Sequence, residues 1–408
     1  MVDIVTQTSP IWSIILKRFQ KIGRTYGFLR VESAVLEENQ LYQNFYKNEP
    51  NKLAESLQVE VDGKSYFLRS ALLPSVLRSY LQYKVNELQP VSKWLFFGNV
   101  LKVDNKDSVH SDYEFGLEIF GSFNHLAEAQ VTSAIWHMLM SLGLEHATLE
   151  INNIGNADCQ ASYEETLKDY LKAKKFELCD SCNEHLSGRA LNIFRCSNLD
   201  CQLTLSEAPT ILDFLDQDSH KHFTNILEAL DELEIPYQLN PFYAGPDGSS
   251  KTNLAIKYKQ GDQTFFIGEA AYHDELLGSL GAKNICSFGF VGSFAAIQRA
   301  MQATEIDIEQ ELKNEVVLVP LGELASKKSL RLFRDLVRSE IKVYDHFGHL
   351  GVKNQLKQAE LSKSPIALIM GQKEAIDEMV ILRDVKSGMQ EIFSYDKIVE
   401  EVKKRLGK

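Results

Sequence analysis

The sequence predicts an α+β protein in which an antiparallel sheet is flanked by helices, a helical insertion interrupts it, and a C-terminal α/β domain follows. Three observations support this prediction. Two apolar, aromatic-rich stretches around a polar loop form a long β-hairpin pattern from Lys93 to Gly121. Residues 165–235 are mostly helical in pattern. Residues 314–408 alternate short apolar strands with helices, which is typical of an α/β domain with a largely parallel sheet.

The bulk composition indicates a folded protein that is not broadly basic. The chain has 408 residues, of which 44% are hydrophobic and 25% charged, and this length suffices for two or three domains. The formal net charge of −12 argues against an extended nucleic-acid surface but leaves room for a local basic patch. Because no apolar run has the length of a membrane span and the N-terminus lacks a signal-peptide pattern, we expect a cytoplasmic protein without a membrane partner.

The elements before residue 305 can be assigned in order along the chain. Apolar residues at helical spacing predict a first helix over residues 11–27. The hairpin strands WLFFGNVLKV and YEFGLEIF are joined by DNKDSVHSD, in which Val109 is the only core-forming residue. Other strand and helix patterns lie on either side, in this order: a strand over 28–38, a strand and helix over 64–85, a helix over 124–143 and the strand ATLEINNIG.

Two of these segments resemble the histidyl-tRNA synthetases, a family of class II aminoacyl-tRNA synthetases. The hairpin ending E-F-G-L-E-I-F-G resembles their motif 2, and A-T-L-E-I-N-N-I-G resembles a strand and turn of the same family. The resemblance covers about residues 10–405 and implies a homodimer formed through motif 1. It also implies four parts: the first part of the core over 1–164, an insertion domain over 165–235, the second part of the core over 236–305, and an anticodon-binding-like domain over 314–408.

Four positions that carry charged substrate contacts in this family hold other residues here. Lys102 stands at the motif 2 arginine, Ala71 at a glutamate, and Gly245 and Ala296 at two further arginines, with Arg299 one helical turn beyond. Adenylate formation needs positive charge placed at the phosphates and the carboxylate. The replacements therefore leave no confident catalytic residue and argue against ATP and Mg²⁺ as ligands.

The resemblance also implies which parts of a substrate pocket remain. Glu118 matches a family carboxylate near the substrate, Glu114 stands where a glutamine is usual, and Tyr272 belongs to a partly kept glycine-rich element. A pocket with these carboxylates and no arginine prefers a cation or a neutral donor to ATP. The stretch F-Y-A-G-P-D-G-S-S over residues 242–250 is interpreted as a surface turn instead of a specificity pocket.

Four cysteines within the helical region form two close pairs, Cys179 with Cys182 and Cys196 with Cys201. Two such pairs can place four thiolates around a tetrahedral Zn²⁺. Four protein ligands leave no open coordination position, so the metal would be structural. The alternative is a set of buried thiols without a ligand.

In the C-terminal domain, the segment G-V-K-N-Q-L-K-Q-A resembles a helix of the anticodon-binding domain of the family. Lys353 and Lys357 are four residues apart and lie on one face of this predicted helix. They predict either a contact with tRNA phosphates or an ordinary solvated surface.

Three hypotheses on function follow. The favoured one is a non-catalytic paralogue of histidyl-tRNA synthetase that binds tRNA, a protein partner or a regulatory target. The second is a divergent but active histidine–tRNA ligase in which Lys102 and Arg299 replace the lost arginines. The third is a synthetase-like regulatory subunit of ATP phosphoribosyltransferase in histidine biosynthesis.

Overall fold

A computed structural model describes residues 9–47, 50–103, 109–121, 124–186, 189–196, 198–282, 284–304, 306, 315–345, 354, 357 and 364–408. The chain divides into two compact units, Met1–Ile306 and Asp307–Lys408. No helix of these described residues combines the length and the apolar character that crossing a membrane requires.

The first unit is built on an eight-stranded sheet with the strand order β1-β5-β6-β11-β10-β9-β7-β8. The pairs β1–β5 and β7–β8 are parallel and the others antiparallel. A three-stranded sheet, β2-β4-β3, lies apart from it. The strands are β1 Leu29–Arg30, β2 Leu36–Glu38, β3 Gln58–Val61, β4 Lys64–Leu68, β5 Ser92–Val103, β6 Val109–Phe120, β7 Ala147–Asn153, β8 Tyr237–Leu239, β9 Thr252–Gln260, β10 Gln263–Tyr272 and β11 Ser287–Ser293.

Helices connect these strands. Short 3₁₀ helices lie at Lys175–Glu177, Ala190–Arg195 and Ile211–Phe214. The α-helices are α1 Ser9–Thr25, α2 Asn39–Phe45, α3 Pro50–Ala54, α4 Leu73–Gln82, α5 Val85–Leu88, α6 His125–Ser141, α7 Ala157–Ala173, α8 Asp180–His185, α9 Leu199–Ser206, α10 Gln217–Glu232, α11 Asp274–Ser279 and α12 Phe294–Ala303.

The predicted hairpin is strands β5 and β6, paired in unbroken register from Ser92 with Phe120 to Val103 with Val109. Since side chains alternate along a strand, the sheet has two distinct faces. Phe115 points to what we call the helix face, where it stacks on Phe294 of α12 and meets Phe19 of α1. Glu114 and Glu118 point to the opposite side, which we call the cavity face.

The helical region after β7 has its own apolar core. Residues from Ile154 to Ala244 form this cluster, in which Tyr163, Leu167 and Leu171 of α7 are fully buried. The core includes residues on both sides of the span 165–235, so these boundaries of an insertion domain stay a prediction.

The second unit contains a five-stranded sheet with the order β13-β12-β14-β15-β16. Its strands are β12 Val316–Pro320, β13 Val343–Asp345, β14 Ile366–Met370, β15 Met379–Asp384 and β16 Gln390–Ser394, and its helices are α13 Glu323–Arg338, α14 Gln372–Asp377 and α15 Tyr395–Leu406. The prediction of a largely parallel sheet was wrong, because β14–β15 and β15–β16 pair antiparallel through short connections.

These observations confirm the predicted fold class, with its antiparallel-rich sheet, flanking helices and C-terminal α/β unit. The first helix, the hairpin and α6 lie where the sequence predicts them. The middle of the hairpin loop, residues 104–108, lies outside the described residues.

Candidate functional site

A cavity of about 310 Å³ opens on the cavity face of the eight-stranded sheet. Strands β5, β6, β10 and β11 form its floor, while the end of α2, the start of α4 and the segment before β9 form its sides. Its walls combine apolar and charged side chains. The lining residues are Phe45, Tyr46, Lys52, Glu55, Ser70, Ala71, Leu73, Lys102, Asp112, Glu114, Pro246, Asp247, Gly248, Phe266, Ile267, Gly268, Glu269, His273, Leu276, Val291, Gly292 and Ser293.

Lys102 and Glu114 face each other across the hairpin. The Lys102 Nζ lies 3.5 Å from Glu114 Oε1, and the Leu72 backbone N–H donates to Glu114 Oε2 over 2.9 Å. Burial raises the pKa of the Glu114 carboxyl, and Lys102 offsets this only in part. The ammonium group is therefore engaged by a carboxylate of the protein, which weakens it as a ligand for phosphate.

Glu118, deeper along β6, pairs with a residue that the sequence analysis missed. His273 Nδ1 lies 3.0 Å from Glu118 Oε1, and both side chains are buried. Burial is the largest single influence and lowers the pKa of the His273 imidazole, but Glu118, Asp274 and Glu269 together outweigh it, so the pKa is raised overall. Glu118 Oε2 has no hydrogen-bond partner in the described part of the chain. The sequence does contain a signal for His273, which lies four residues after Glu269. An even spacing along a strand places both side chains on the same face, here the cavity face.

Tyr272 is not part of the cavity, which corrects its assignment to the substrate pocket. It pairs with Phe288 in the sheet and contacts that ring on the helix face. Its hydroxyl donates to Glu128 Oε1 of α6, which also accepts from His222 Nε2 of α10 over 2.6 Å. The strand alternation explains the difference, because Tyr272 is three residues beyond the cavity residue Glu269.

Residues 242–250 were interpreted as a surface turn, but each of them is buried or only partly exposed. Pro246, Asp247 and Gly248 line the cavity, while Gly245 is buried. Two arginines from the helical region fix the segment: Arg195 donates to the Gly245 carbonyl over 2.5 Å, and Arg189 pairs with Asp247 at 2.9 Å. These contacts bury a stretch whose composition is that of an exposed turn.

Three positions at which the resemblance implies charged contacts hold small residues. Gly245 has φ of +64°, and a Cβ added there would lie 2.1 Å from Asn253 Oδ1, so the site excludes a side chain. Ala71 lines the cavity, whereas Ala296 is buried and its N–H donates to the Ser293 side chain that caps α12. Arg299 is exposed further along α12 and is not a lining residue.

The charge of the cavity is dominated by carboxylates. Its cationic groups are Lys52, Lys102 and His273 when protonated, and none of its described wall residues is an arginine. Five carboxylates line the same cavity: Glu55, Asp112, Glu114, Asp247 and Glu269. Glu114 pairs with Lys102 and Asp247 with Arg189, which lies outside the wall. A site of this sign repels phosphate and attracts cations.

The four cysteines predicted to bind a metal come together in the helical region. Their Sγ atoms all lie within 4.8 Å of one another, with 3.8 Å between Cys179 and Cys196. A tetrahedral ZnS₄ centre with bonds of about 2.3 Å requires S–S separations of about 3.8 Å, so the cluster fits such an ion.

Backbone groups support thiolates in this cluster. The Cys179 N–H donates to Cys201 Sγ over 3.1 Å, and the Asn198 N–H to Cys196 Sγ over 3.4 Å. A hydrogen bond from the Cys182 backbone lowers the pKa of Cys179 to about 7, whereas burial raises the pKa of Cys182. The arrangement can hold a metal ion.

Of the two lysines predicted to contact tRNA, Lys357 is exposed and helical. Lys353 lies outside the described residues.

Comparisons with known proteins cover both units. Residues 315–405 match the model of the anticodon binding domain family. A histidine–tRNA ligase of Halothermothrix orenii is 27% identical over 410 residues, covering 98% of this chain and 97% of the relative. The structure of apo histidyl-tRNA synthetase from S. aureus aligns with a TM-score of 0.79 at 22% identity, covering 99% of this chain and 98% of that one.

A further solved structure resembles the chain less closely. It is described as an ATP phosphoribosyltransferase regulatory subunit/histidyl-tRNA synthetase from Bacillus halodurans, and it aligns with a TM-score of 0.62 at 13% identity over 91% of this chain and 97% of that one. Together with the motif 2 hairpin and the C-terminal match, the full-length similarity supports the histidyl-tRNA synthetase family for this chain.

Proposed function

We propose that this protein is a non-catalytic member of its family that acts by binding tRNA or a protein partner. One observation carries the proposal: the cavity at the motif 2 hairpin presents five carboxylates against two lysines, and Lys102 is paired with Glu114. Adenylate formation concentrates negative charge on phosphates, and this cavity opposes that charge.

The expected loss of activity is large. Removing a single preorganised donor of this type costs about a hundred- to a thousandfold in rate. Cationic hydrogen-bond donors are lacking here at the positions of Ala296 and Gly245. Lys102 carries a point charge at a position where the family has an arginine, whose guanidinium can bind two phosphate oxygens at once. Such losses are not additive, but on the order of 10⁴-fold or more is the expected combined effect.

The test is ATP–pyrophosphate exchange with histidine, using the full-length protein and an active histidine–tRNA ligase as the positive control. We expect no exchange above the background without histidine. Histidine-dependent exchange would overturn the proposal and establish a divergent active ligase. The exposed position of Arg299 outside the cavity wall disfavours that second candidate.

A regulatory role in histidine biosynthesis is a third candidate, and the similarity to the Bacillus halodurans structure favours it. It predicts that a tagged protein isolated from its native cells retains a small ATP phosphoribosyltransferase through gel filtration. Absence of that enzyme from the purified complex under low-salt conditions would exclude this role.

We extend the proposal to tRNA through the C-terminal unit, supported by its match to the anticodon binding domain family. Filter binding with histidine tRNA at low salt is expected to show affinity that weakens after charge reversal of Lys353 and Lys357. Charge reversal of Lys397, an exposed lysine of α15, serves as the matched control. Unchanged binding in all variants, or no binding at all, would favour a protein-interaction module.

We also propose that the four cysteines hold one structural zinc ion, supported by their 4.8 Å cluster. Metal analysis is expected to find about one zinc per chain, and Cys182→Ser to abolish it. Cys286→Ser is the control, since Cys286 is buried outside the cluster. Zinc retention by Cys182→Ser, or no zinc in the unmodified protein, would contradict the assignment.

The remaining parts of the proposal follow the family resemblance. They are a homodimer, a cytoplasmic location and the four-part division at residues 1–164, 165–235, 236–305 and 314–408. Light scattering coupled to gel filtration tests the first, with a mass of twice 46.3 kDa expected for the dimer.

A further inference from the structure

The carboxylates of the cavity come from separate segments that surround its opening. Glu55 follows α3, Asp112 lies on β6, Asp247 precedes β9 and Glu269 lies on β10. Because the fold brings them together from distant parts of the sequence, their charges act on a shared volume of about 310 Å³. That volume is within the range of small-molecule sites.

In the part of the chain that the structure describes, no three of these carboxylates converge on one point. Among the described residues, the four cysteines are the only group of three or more acidic, histidine or cysteine side chains whose ligand atoms converge as an ion requires. The cavity carboxylates are spread along the wall, which suits a ligand that carries its positive charge on an extended frame.

The walls between the carboxylates are apolar. Phe45, Leu73, Leu276 and Val291 line the same cavity. Carboxylates set in apolar walls favour a ligand with a charged end and a hydrocarbon body.

Two carboxylates retain unused hydrogen-bonding capacity. Asp247 lines the cavity with its side chain only 5% exposed, and its Oδ2 has no partner in the described part of the chain although Arg189 holds Oδ1. The Glu55 carboxylate, which is half-buried, shows no side-chain partner among the described residues. A buried acceptor without a donor is costly, and a ligand N–H group would satisfy it.

From this arrangement we infer that the cavity binds a small organic cation, an amine or guanidine with an apolar body and no carboxylate. The inference rests on the proposed loss of adenylate chemistry and names the ligand class of the same cavity. A carboxylate on the ligand would meet the five acidic side chains, whereas its ammonium or guanidinium end would be attracted by them.

The experiment compares matched ligands that differ by one carboxylate. Isothermal titration of the full-length protein with agmatine against arginine, and with histamine against histidine, measures the discrimination directly. We expect at least one amine to bind about tenfold or more tightly than its amino acid. Equal or tighter binding of both amino acids, or no binding of either amine at millimolar concentration, would overturn the inference. So would displacement of a bound amine by stoichiometric Mg²⁺, since that result would identify a metal site.

Substitutions of cavity carboxylates test whether the amine binds in this cavity. Glu269→Gln and Glu55→Gln are each expected to weaken amine binding at least fivefold, and Glu60→Gln, an exposed residue of β3, to leave it unchanged. If Glu269→Gln does not fold, Glu55→Gln still tests whether the amine binds in this cavity. The Glu55 side chain has no structural partner in the described residues, so this variant is expected to fold. Equal weakening by Glu60→Gln would show nonspecific charge attraction and contradict a built site. If the protein catalyses histidine-dependent pyrophosphate exchange, the proposed function itself is overturned. If it shows neither exchange nor amine binding, only this inference is overturned.

Discussion

Two buried glutamate–histidine pairs lie on opposite faces of the central sheet, and their surroundings differ. Glu118 and His273 meet at 3.0 Å at the cavity wall, whereas Glu128 and His222 meet at 2.6 Å between α6 and α10. Each glutamate is fully buried and keeps one oxygen without a partner among the described residues. Of the two pairs, the first adjoins the cavity of about 310 Å³ through His273. The same chemical pair thus lies at a cavity wall on one face of the sheet and links two helices on the other.

The largest effect is expected from Glu128→Ala, which strands both His222 and the Tyr272 hydroxyl in a packed region. Removing one member of a buried polar group of this kind costs about 3–5 kcal/mol. Glu118→Ala is expected to cost less, about 1–3 kcal/mol, because water in the cavity can solvate His273. Urea unfolding of both variants measures the difference. An equal or reversed order would show that the cavity wall is as closely packed as the helix face.

A smaller difference in the free energy of unfolding is expected between two tyrosine variants. Tyr272→Phe removes a buried hydroxyl bonded to Glu128 and is expected to lower the free energy of unfolding by about 1–2 kcal/mol. Tyr243→Phe removes a hydroxyl 2.6 Å from the cavity residue Glu269 and should cost less, since Glu269 is only half-buried. Tyr243→Phe should instead alter ligand affinity. A larger stability loss for Tyr243→Phe would contradict the assignment of the two faces.

The smallest effect is a pH dependence at the cavity wall. The pKa of His273 is raised above 6.5 in the folded protein. Its pairing with Glu118 therefore stabilises the folded state fully below pH 6.5, and this contribution is lost as the pH rises through the pKa of the folded state. His273→Gln is therefore expected to destabilise the protein more at pH 6 than at pH 8.5, by about 1 kcal/mol for each unit of pKa shift. His146→Gln, an exposed control, should show the same stability difference at both values. A pH-independent cost of His273→Gln would contradict protonation of this pair.

The sequence predicted those features that depend on regular spacing. The hairpin followed from two apolar, aromatic-rich stretches around a polar loop, and the cysteine cluster from two close pairs. Local patterns could not reveal contacts between distant segments. Arg189 and Arg195 bury residues 245–247, although nothing near those residues predicts it. Strand β16 has a weak sequence pattern, because its five residues include one exposed isoleucine and two acidic or amide groups.

Less of the candidate site than of the fold was predictable from the sequence. Gly245 and Ala296 stand where the resemblance implies cationic contacts and Ala71 where it implies a carboxylate, and the preference for cations stays a prediction beside the carboxylates of the cavity. His273 was overlooked because a single histidine after a strand gives no pattern of its own. Tyr272 was assigned to the pocket on the resemblance alone. Its spacing of three residues from Glu269 places the two side chains on opposite faces of the strand, and the sequence analysis did not use this spacing.

The backbone at Gly245 leaves little room for a side chain. A left-handed conformation and a Cβ position 2.1 Å from Asn253 mean that an arginine introduced there would disturb the segment before it could reach a ligand. Placing a cation at this position would therefore need changes at both residue 245 and residue 253, and Gly245→Arg alone is expected to lower stability without adding a phosphate contact.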